Sequence, residues 1–195
     1  MTERRQEILT VALRLLCSRG YAAFSYKDIA KVMGITTASL HYHFESKEML
    51  GLALCDYIEE VQTRVASDLA HREPDDRAVL ASFLRRWAVH WADGAICPIA
   101  SLQSDLDALP PALQQRLAAL SKFEIGLVAR HLQRAADGGG LTLAGPTEEE
   151  AALLLAAYKG VALYSRVMGP SFRETMLGRI IGPLEPPNEN RDSQL

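Results

Sequence analysis

The stretch Gly34-Ile35-Thr36-Thr37-Ala38-Ser39-Leu40-His41-Tyr42-His43-Phe44 packs three aliphatic hydroxyls, two imidazoles and a phenol into eleven residues. Such groups exchange hydrogen bonds without carrying fixed charge, so the chemistry open to them is recognition of a polar surface. Leu40 and Phe44 stand four apart and share one face of a helix, where they can root it in a core. Thr37, Ala38, His41, Tyr42 and His43 fall on or beside the opposite face. Burial would leave them without partners, so this face belongs at a surface, either solvated on a small helical domain or laid against DNA. The setting favours DNA. Ala30, Gly34 and Leu40 supply the close crossing, tight turn and anchoring aliphatic that a helix-turn-helix needs.

On that reading Thr37, Ala38, Ser39, His41 and His43 face base edges in the major groove, the polar groups as donors or acceptors and Ala38 against a thymine methyl. Ser25, Tyr26 and Lys27 at the start of the preceding helix, Tyr42, and Lys47 at the start of the following one are placed to hold phosphates. Thr36, the expected N-cap of the reading helix, completes the DNA-contacting set.

Other chemistries find little to work with. The pair His41 and His43 suggests metal, but two residues apart on a helix the imidazoles diverge by about 200°, and no Asp, Glu or Cys has matching spacing, so no metal is expected. Asp105 and Asp107 diverge in the same way, which removes a glycosidase-like carboxylate pair. Gly138-Gly139-Gly140 follows a helix and not a strand, and no Ser/His/Asp set is present. The chain is therefore not expected to be an enzyme, and no cofactor is implied. Cys17, Cys55 and Cys97 are odd in number and dispersed, with no C-x-x-C, which fits a reducing cytoplasm better than a disulfide framework or zinc module.

The 195 residues, 48% hydrophobic, suffice for one or two cores, and the net charge of −3 gives no global sign of nucleic acid. Its distribution does: residues 1–50 hold seven Lys/Arg against five Asp/Glu, leaving 14 against 19 for the rest. A mildly basic head on an acidic body suits DNA contact at the N-terminus. Arg14 and Arg19 interrupt the first apolar run, which argues against a signal peptide. The run from Ala151 to Leu163 is broken by Tyr158 and Lys159 and falls short of the ~20 residues a bilayer span needs, so no membrane partner is expected.

The elements that must position these groups are all helical. Ile8, Val11, Ala12, Leu15 and Leu16 recur at helical spacing before Gly20, and Ser25-x-x-Asp28 resembles a capping box for a helix over 26–33. Ser46 caps a long helix from Lys47 to about His71. Leu80, Phe83, Leu84, Trp87 and Trp91 form an apolar stripe, and Ile99, Leu102, Leu106 and Leu109 another behind Pro98. Pro110-Pro111 restarts a helix to about Ala136. Thr147-x-x-Glu150 predicts a capping box for a helix to Met168, Gly169-Pro170 breaks it, and a last helix covers 172–181. The polar, proline-rich end reads as a flexible tail. The expected division is a helix-turn-helix domain over 1–46, a helical effector-binding and dimerisation domain over 47–182, and the tail over 183–195.

Residues 5–52 resemble the N-terminal pattern of the TetR family of bacterial transcriptional regulators. Ile8 and Ala12, Gly20-Tyr21 and Phe24, Asp28-Ile29-Ala30, Gly34-Ile35, Leu40 to Phe44 and Ser46-Lys47-Glu48 carry the likeness. Thr37, Ala38 and Glu45 depart from it where lysine, glycine and proline are common. The resemblance implies an all-α regulator, a homodimer that reads a palindromic operator on double-stranded DNA, usually as a repressor released by a small-molecule effector.

The helices over about 147–168 and 172–181 carry more apolar residues than one core-facing stripe requires, so they are either buried on both faces within one chain or paired with a second copy. The family suggests that Trp87, His90, Trp91, Phe123 and Tyr158 line a ligand cavity, although an aromatic stripe is also ordinary core. The segment from Cys97 to Leu106 is similar to one in a TetR subgroup that includes the electrophile-responsive N-ethylmaleimide repressor, whose sensing cysteine holds the matching place. Cys97, ahead of Pro98, is accordingly an effector-site candidate, the alternative being a small, half-buried core residue. A second functional reading is a helical dimeric ligand- or partner-binding protein without operator binding.

Overall fold

The computed structural model describes residues 3–88 and 94–185, and every regular element among them is helical. In chain order these are α1 (Glu3–Arg19), α2 (Tyr26–Met33), α3 (Thr37–His43), α4 (Lys47–Ala70), α5 (Asp76–Ala88), α6 (Pro98–Ser104), α7 (Pro111–Asp137), α8 (Thr147–Met168) and α9 (Pro170–Ile181). Single 3-10 turns, Leu106–Ala108 and Gly182–Leu184, follow α6 and α9. Two compact units result, one from Met1–Gln62 with Asp93–Phe123, the other from Thr63–Ala92 with Glu124–Leu195.

In the first unit α1 buries Ile8, Leu9, Ala12, Leu15 and Leu16, the stripe its periodicity predicts. Both halves of the capping box between Ser25 and Asp28 form at the start of α2. Gly34 ends that helix at φ 65°, the left-handed turn that a residue with a Cβ rarely takes, with its N–H on the Ala30 carbonyl. Leu40 and Phe44 are 1% and 3% exposed and so root α3 in the core.

That core is completed by residues far along the chain, Ile99, Leu102, Leu109, Leu113, Leu117 and Leu120. Gly51 lets α4 pass close to α7, since a Cβ there would lie 2.6 Å from Leu113 Cδ2. The seam between α1 and α6 is hydrogen-bonded: Ser101 Oγ donates to the Leu16 carbonyl at 2.7 Å, and the Ile96 N–H to that of Cys17 at 3.0 Å. Asp105, which ends α6, accepts the Ala22 N–H at 3.0 Å. The stripe from Ile99 to Leu109 predicts one longer helix, but α6 stops at Ser104. Leu109 is extended ahead of Pro110, which disfavours helical geometry in the residue before it, and Leu106 is left 45% exposed.

In the second unit α5 buries Val79, Leu80, Phe83 and Leu84, and α8 buries Ala151, Leu155, Tyr158, Val161 and Ala162. The expected capping box at Thr147 does not form. Pro146 occupies the N-cap position, and Thr147 Oγ1 donates to Gln133 Oε1 at 2.6 Å instead. The final helix starts at Pro170 rather than Phe172, proline being at ease in a first turn. Glu124 of α7 and Lys159 of α8 form a buried ion pair at 2.5 Å, and His131 Nδ1 sits 2.6 Å from Asp76 Oδ1. Beyond α9, Leu184 is buried, Arg77 donates to the Glu185 carbonyl, and Arg85 pairs with the Glu185 carboxylate. Residues 186–195, the remainder of the expected tail, lie outside the described residues. By length and composition alone α8 could cross a membrane, with 28% of that window buried within the chain.

Candidate nucleic-acid interface

Thr36 is the N-cap of α3, extended at φ −85° and ψ 154°, and its Oγ1 accepts the Ser39 N–H at 3.2 Å. With one face committed to Leu40 and Phe44, the helix exposes Thr37, Ala38, His41 and Tyr42, spaced at the offsets that share a helical face. Tyr42 is 87% exposed and stands on this face beside the base-edge candidates. Ser39 and His43 lie on the flank, half-buried, and the His43 ring meets Tyr42 edge-on at 5.2 Å.

The C-terminal end of α3 is held by three side chains. Arg5 donates to the His43 carbonyl at 2.9 Å, the Tyr26 hydroxyl to that of Phe44 at 2.8 Å, and His41 Nδ1 meets that of Glu45 at 3.1 Å. These carbonyls are among the groups a helix end leaves without intrahelical partners. The Arg5 guanidinium also lies 4.2 Å from the centroid of the Phe44 ring. Arg5 escaped the sequence reading because its partner is 38 residues away and nothing local marks it. Burial pushes the Tyr26 phenol up to about 12, so it stays neutral, with its proton turned inward toward Phe44.

At the start of α2, Ser25 Oγ donates to Asp28 Oδ2 at 2.6 Å, and Lys27 is exposed. The Asp28 carboxyl is held below its usual range, first by the Ser25 side chain and then by the Ser25 backbone N–H, with Arg19 assisting. Lys47 is folded inward, its Nζ 4.6 Å from the Tyr21 ring centroid and 4.8 Å from that of Phe24. Burial lowers the Lys47 pKa, against the opposing pull of Asp105 and Asp28. The N-terminal edges of α2 and α4 thus present a hydroxyl, a free-standing lysine and a lysine seated on aromatic faces.

The effector candidates fall in both units. In the second, Trp87 is half-buried with its ring 6.1 Å from Phe83, and the buried Tyr158 donates its hydroxyl to the Leu84 carbonyl at 2.6 Å. In the first, Phe123 packs against the core, and Cys97 is the N-cap of α6, half-buried, its carbonyl taking the Ser101 N–H at 2.9 Å. Burial, and then the neighbouring Cys97, push the Cys17 thiol up to about 12. His90 and Trp91 lie outside the described residues. Among the described residues no group of three or more His, Cys, Asp or Glu is arranged to hold a metal ion.

Residues 8–54 match the sequence profile described as bacterial regulatory proteins, tetR family. The transcriptional repressor KstR2 of Rhodococcus jostii is 36% identical over 85 residues, 41% of this chain and 42% of that protein. The chain spans less than half the length of the curated relatives it matches. A TetR-family regulator structure from Agrobacterium tumefaciens is similar over 93% of this chain and 95% of its own, with a TM-score of 0.82 and 28% identity. Reduced NemR of E. coli superposes over 91% of this chain and 95% of its own with a TM-score of 0.76 and 18% identity, a likeness of fold. Residues 8–54, which include α2, α3 and the start of α4, therefore match the tetR family of bacterial regulatory proteins, and the chain as a whole is similar in fold to a solved regulator of that family.

Proposed function

We propose that the chain is a DNA-binding transcriptional regulator, acting as a homodimeric repressor on a palindromic operator and released by a small molecule or a cysteine-reactive electrophile. The observation that carries the reading is the surface of α3: Thr37, Ala38, His41 and Tyr42 lie exposed on a helix rooted by Leu40 and Phe44 and clamped at its end by Arg5 and Tyr26. DNA contact in this reading is the work of 1–46 with Lys47, effector binding and dimerisation that of 47–182, and 183–195 is a tail. Ser25, Lys27 and Lys47 approach phosphates, and the α3 face enters the major groove. Repression is supported by the Rhodococcus relative, itself a transcriptional repressor.

The second copy in this reading covers α8. Leu153, Leu163, Tyr164, Val167 and Met168 are 44–86% exposed on that helix. Between them lie Ala156, Ala157 and Gly160, and the Gly160 Cα faces open space, so a partner helix can approach closely there. An aqueous partner suits the stripe better than lipid, since Arg166 and the run Glu148 to Glu150 stand at the two ends of α8. Leu163→Glu combined with Val167→Glu is expected to yield monomers in sedimentation, whereas co-fractionation of the wild type with membranes would refute this assignment.

Release is assigned to the second unit, with Trp87 and Tyr158 as aromatic contacts for an effector, and to Cys97, which precedes the proline-started α6. A Cys97→Ser variant still released from DNA by quinones or aldehydes would end the electrophile reading. The experiment for the function itself is footprinting on DNA flanking the chain's own gene across a salt series. Two symmetric half-sites and a steep loss of affinity with salt are expected; flat salt dependence on every duplex would support the partner-binding alternative.

A further inference from the structure

The tautomer of His41 is fixed by the fold, and with it the kind of base edge this residue can read. His41 Nδ1 lies 3.1 Å from the Glu45 carbonyl oxygen, and its ring centroid lies 4.6 Å from that of Tyr26. A carbonyl oxygen only accepts hydrogen bonds, so Nδ1 carries the proton; the opposite tautomer would set two lone pairs against each other. In a neutral imidazole the remaining nitrogen, Nε2, is then a bare acceptor. The ring is held in place as well. Tyr26, against which it packs, is itself tied by its hydroxyl to the Phe44 carbonyl at 2.8 Å, and Glu45 is the residue just past the α3 C-cap. His41 stays exposed on the face it shares with Thr37, Ala38 and Tyr42, so its free acceptor belongs to the reading surface.

We infer that His41 is a specificity-determining residue that reads one operator position as a hydrogen-bond acceptor, an inference that rests on α3 entering the major groove. At neutral charge an acceptor is matched there by an exocyclic amine, N6 of adenine or N4 of cytosine. It is mismatched by guanine, which shows N7 and O6, and by thymine, which shows O4, both acceptors. His41 therefore selects an amino base over a keto base at one strand position of each half-site. It leaves discrimination between adenine and cytosine to its neighbours, among which Ala38 can sense a thymine methyl and Thr37 can donate or accept.

The test is selection of duplexes from a random pool at pH 8, using full-length wild type, His41→Ala and His41→Lys, with folding of each checked by circular dichroism. The wild type is expected to enrich a half-site with adenine or cytosine at one position. His41→Ala should lose preference at that position alone, and His41→Lys, which can only donate, should turn it to guanine. In the selected duplex, replacing the adenine by purine or the cytosine by 2-pyrimidinone, each lacking the amine, should weaken wild-type binding about tenfold and His41→Ala binding hardly at all. Enriched sites that His41→Ala leaves unchanged, or a keto base at the His41-dependent position, would overturn the inference while leaving DNA binding intact. If no protein enriches any sequence, the DNA reading falls and this inference falls with it.

Discussion

Replacing Arg5 by methionine removes two interactions from the end of α3 while keeping an unbranched stem. The guanidinium donates to the His43 carbonyl at 2.9 Å and lies 4.2 Å from the Phe44 ring centroid. A hydrogen bond from a charged donor contributes about 1.5–3 kcal/mol, toward the lower end at a half-buried site. A cation–π contact in a partly exposed place adds about 0.5–1 kcal/mol. The loss expected is about 2–3 kcal/mol, a sizeable part of the roughly 5–15 kcal/mol that holds a typical domain. Arg4 supplies the control, because it pairs with Glu7 one helical turn on with both side chains about half exposed, 53% and 49%. Arg4→Met should cost under about 0.5 kcal/mol. Urea unfolding at fixed protein concentration, followed by circular dichroism, reads the difference as a shift in midpoint at constant slope. Amide exchange over 37–44 reports the same change locally, and should quicken in Arg5→Met alone. Equal midpoints and equal exchange for the two variants would refute the clamp.

The pair of Lys159 and Glu124 should show non-additivity: Glu124→Leu alone leaves the largely buried Lys159 ammonium without its carboxylate and costs about 3–5 kcal/mol, while adding Lys159→Met recovers most of it, as thermal midpoints would show. Iodoacetamide at pH 8, read by peptide mass spectrometry, should label Cys97 ahead of Cys17 and Cys55, whose thiols burial holds at about 12 and about 11. The Cys17 thiolate fraction is about a thousandfold below that of an ordinary thiol, so equal native labelling would contradict the packing. Burial, the largest influence on each, keeps Cys17 and Tyr21 neutral up to about 12, against 9.0 and 10.0 for the free groups. Because the folded state resists an ionisation that the unfolded chain allows, their contribution is whole below pH 9 and is lost as pH rises toward 12. The urea midpoint should fall across that window, and Cys17→Ala with Tyr21→Phe should flatten the fall.

Helix positions and the exposed face of α3 were legible because their signals are local. The stripe of α1, the left-handed glycine at 34 and the four-residue spacing of Leu40 and Phe44 lie within a turn or two of what they organise. What stayed hidden depends on partners far along the chain. Lys47 reads as a free cation until Tyr21 and Phe24 fold beneath it, and Tyr26 as a free phenol until its hydroxyl finds Phe44. Thr147-x-x-Glu150 has the spacing of a capping box, yet the helix starts one residue early, with Pro146 at the N-cap and the threonine hydroxyl turned to Gln133 on α7. Likewise Leu106 fits an apolar stripe by spacing, and Pro110 ends the helix before the stripe can be used.

The dependence of the first unit's core on Ile99, Leu102, Leu109, Leu113, Leu117 and Leu120 bears on how this chain can be re-engineered. A chimera that joined residues 1–46 to a foreign body would carry α3 without the side chains that close its core, and would be under-packed wherever the host differs at those places. The α3 surface is better transplanted in one of two ways. Either the exposed residues Thr37, Ala38, His41 and Tyr42 are exchanged on an otherwise native scaffold, or the graft takes both stretches of the unit together. The second route carries across Asp105 and Ser101, and with them the hydrogen bonds to Ala22 and Leu16 that tie the two stretches of the unit together.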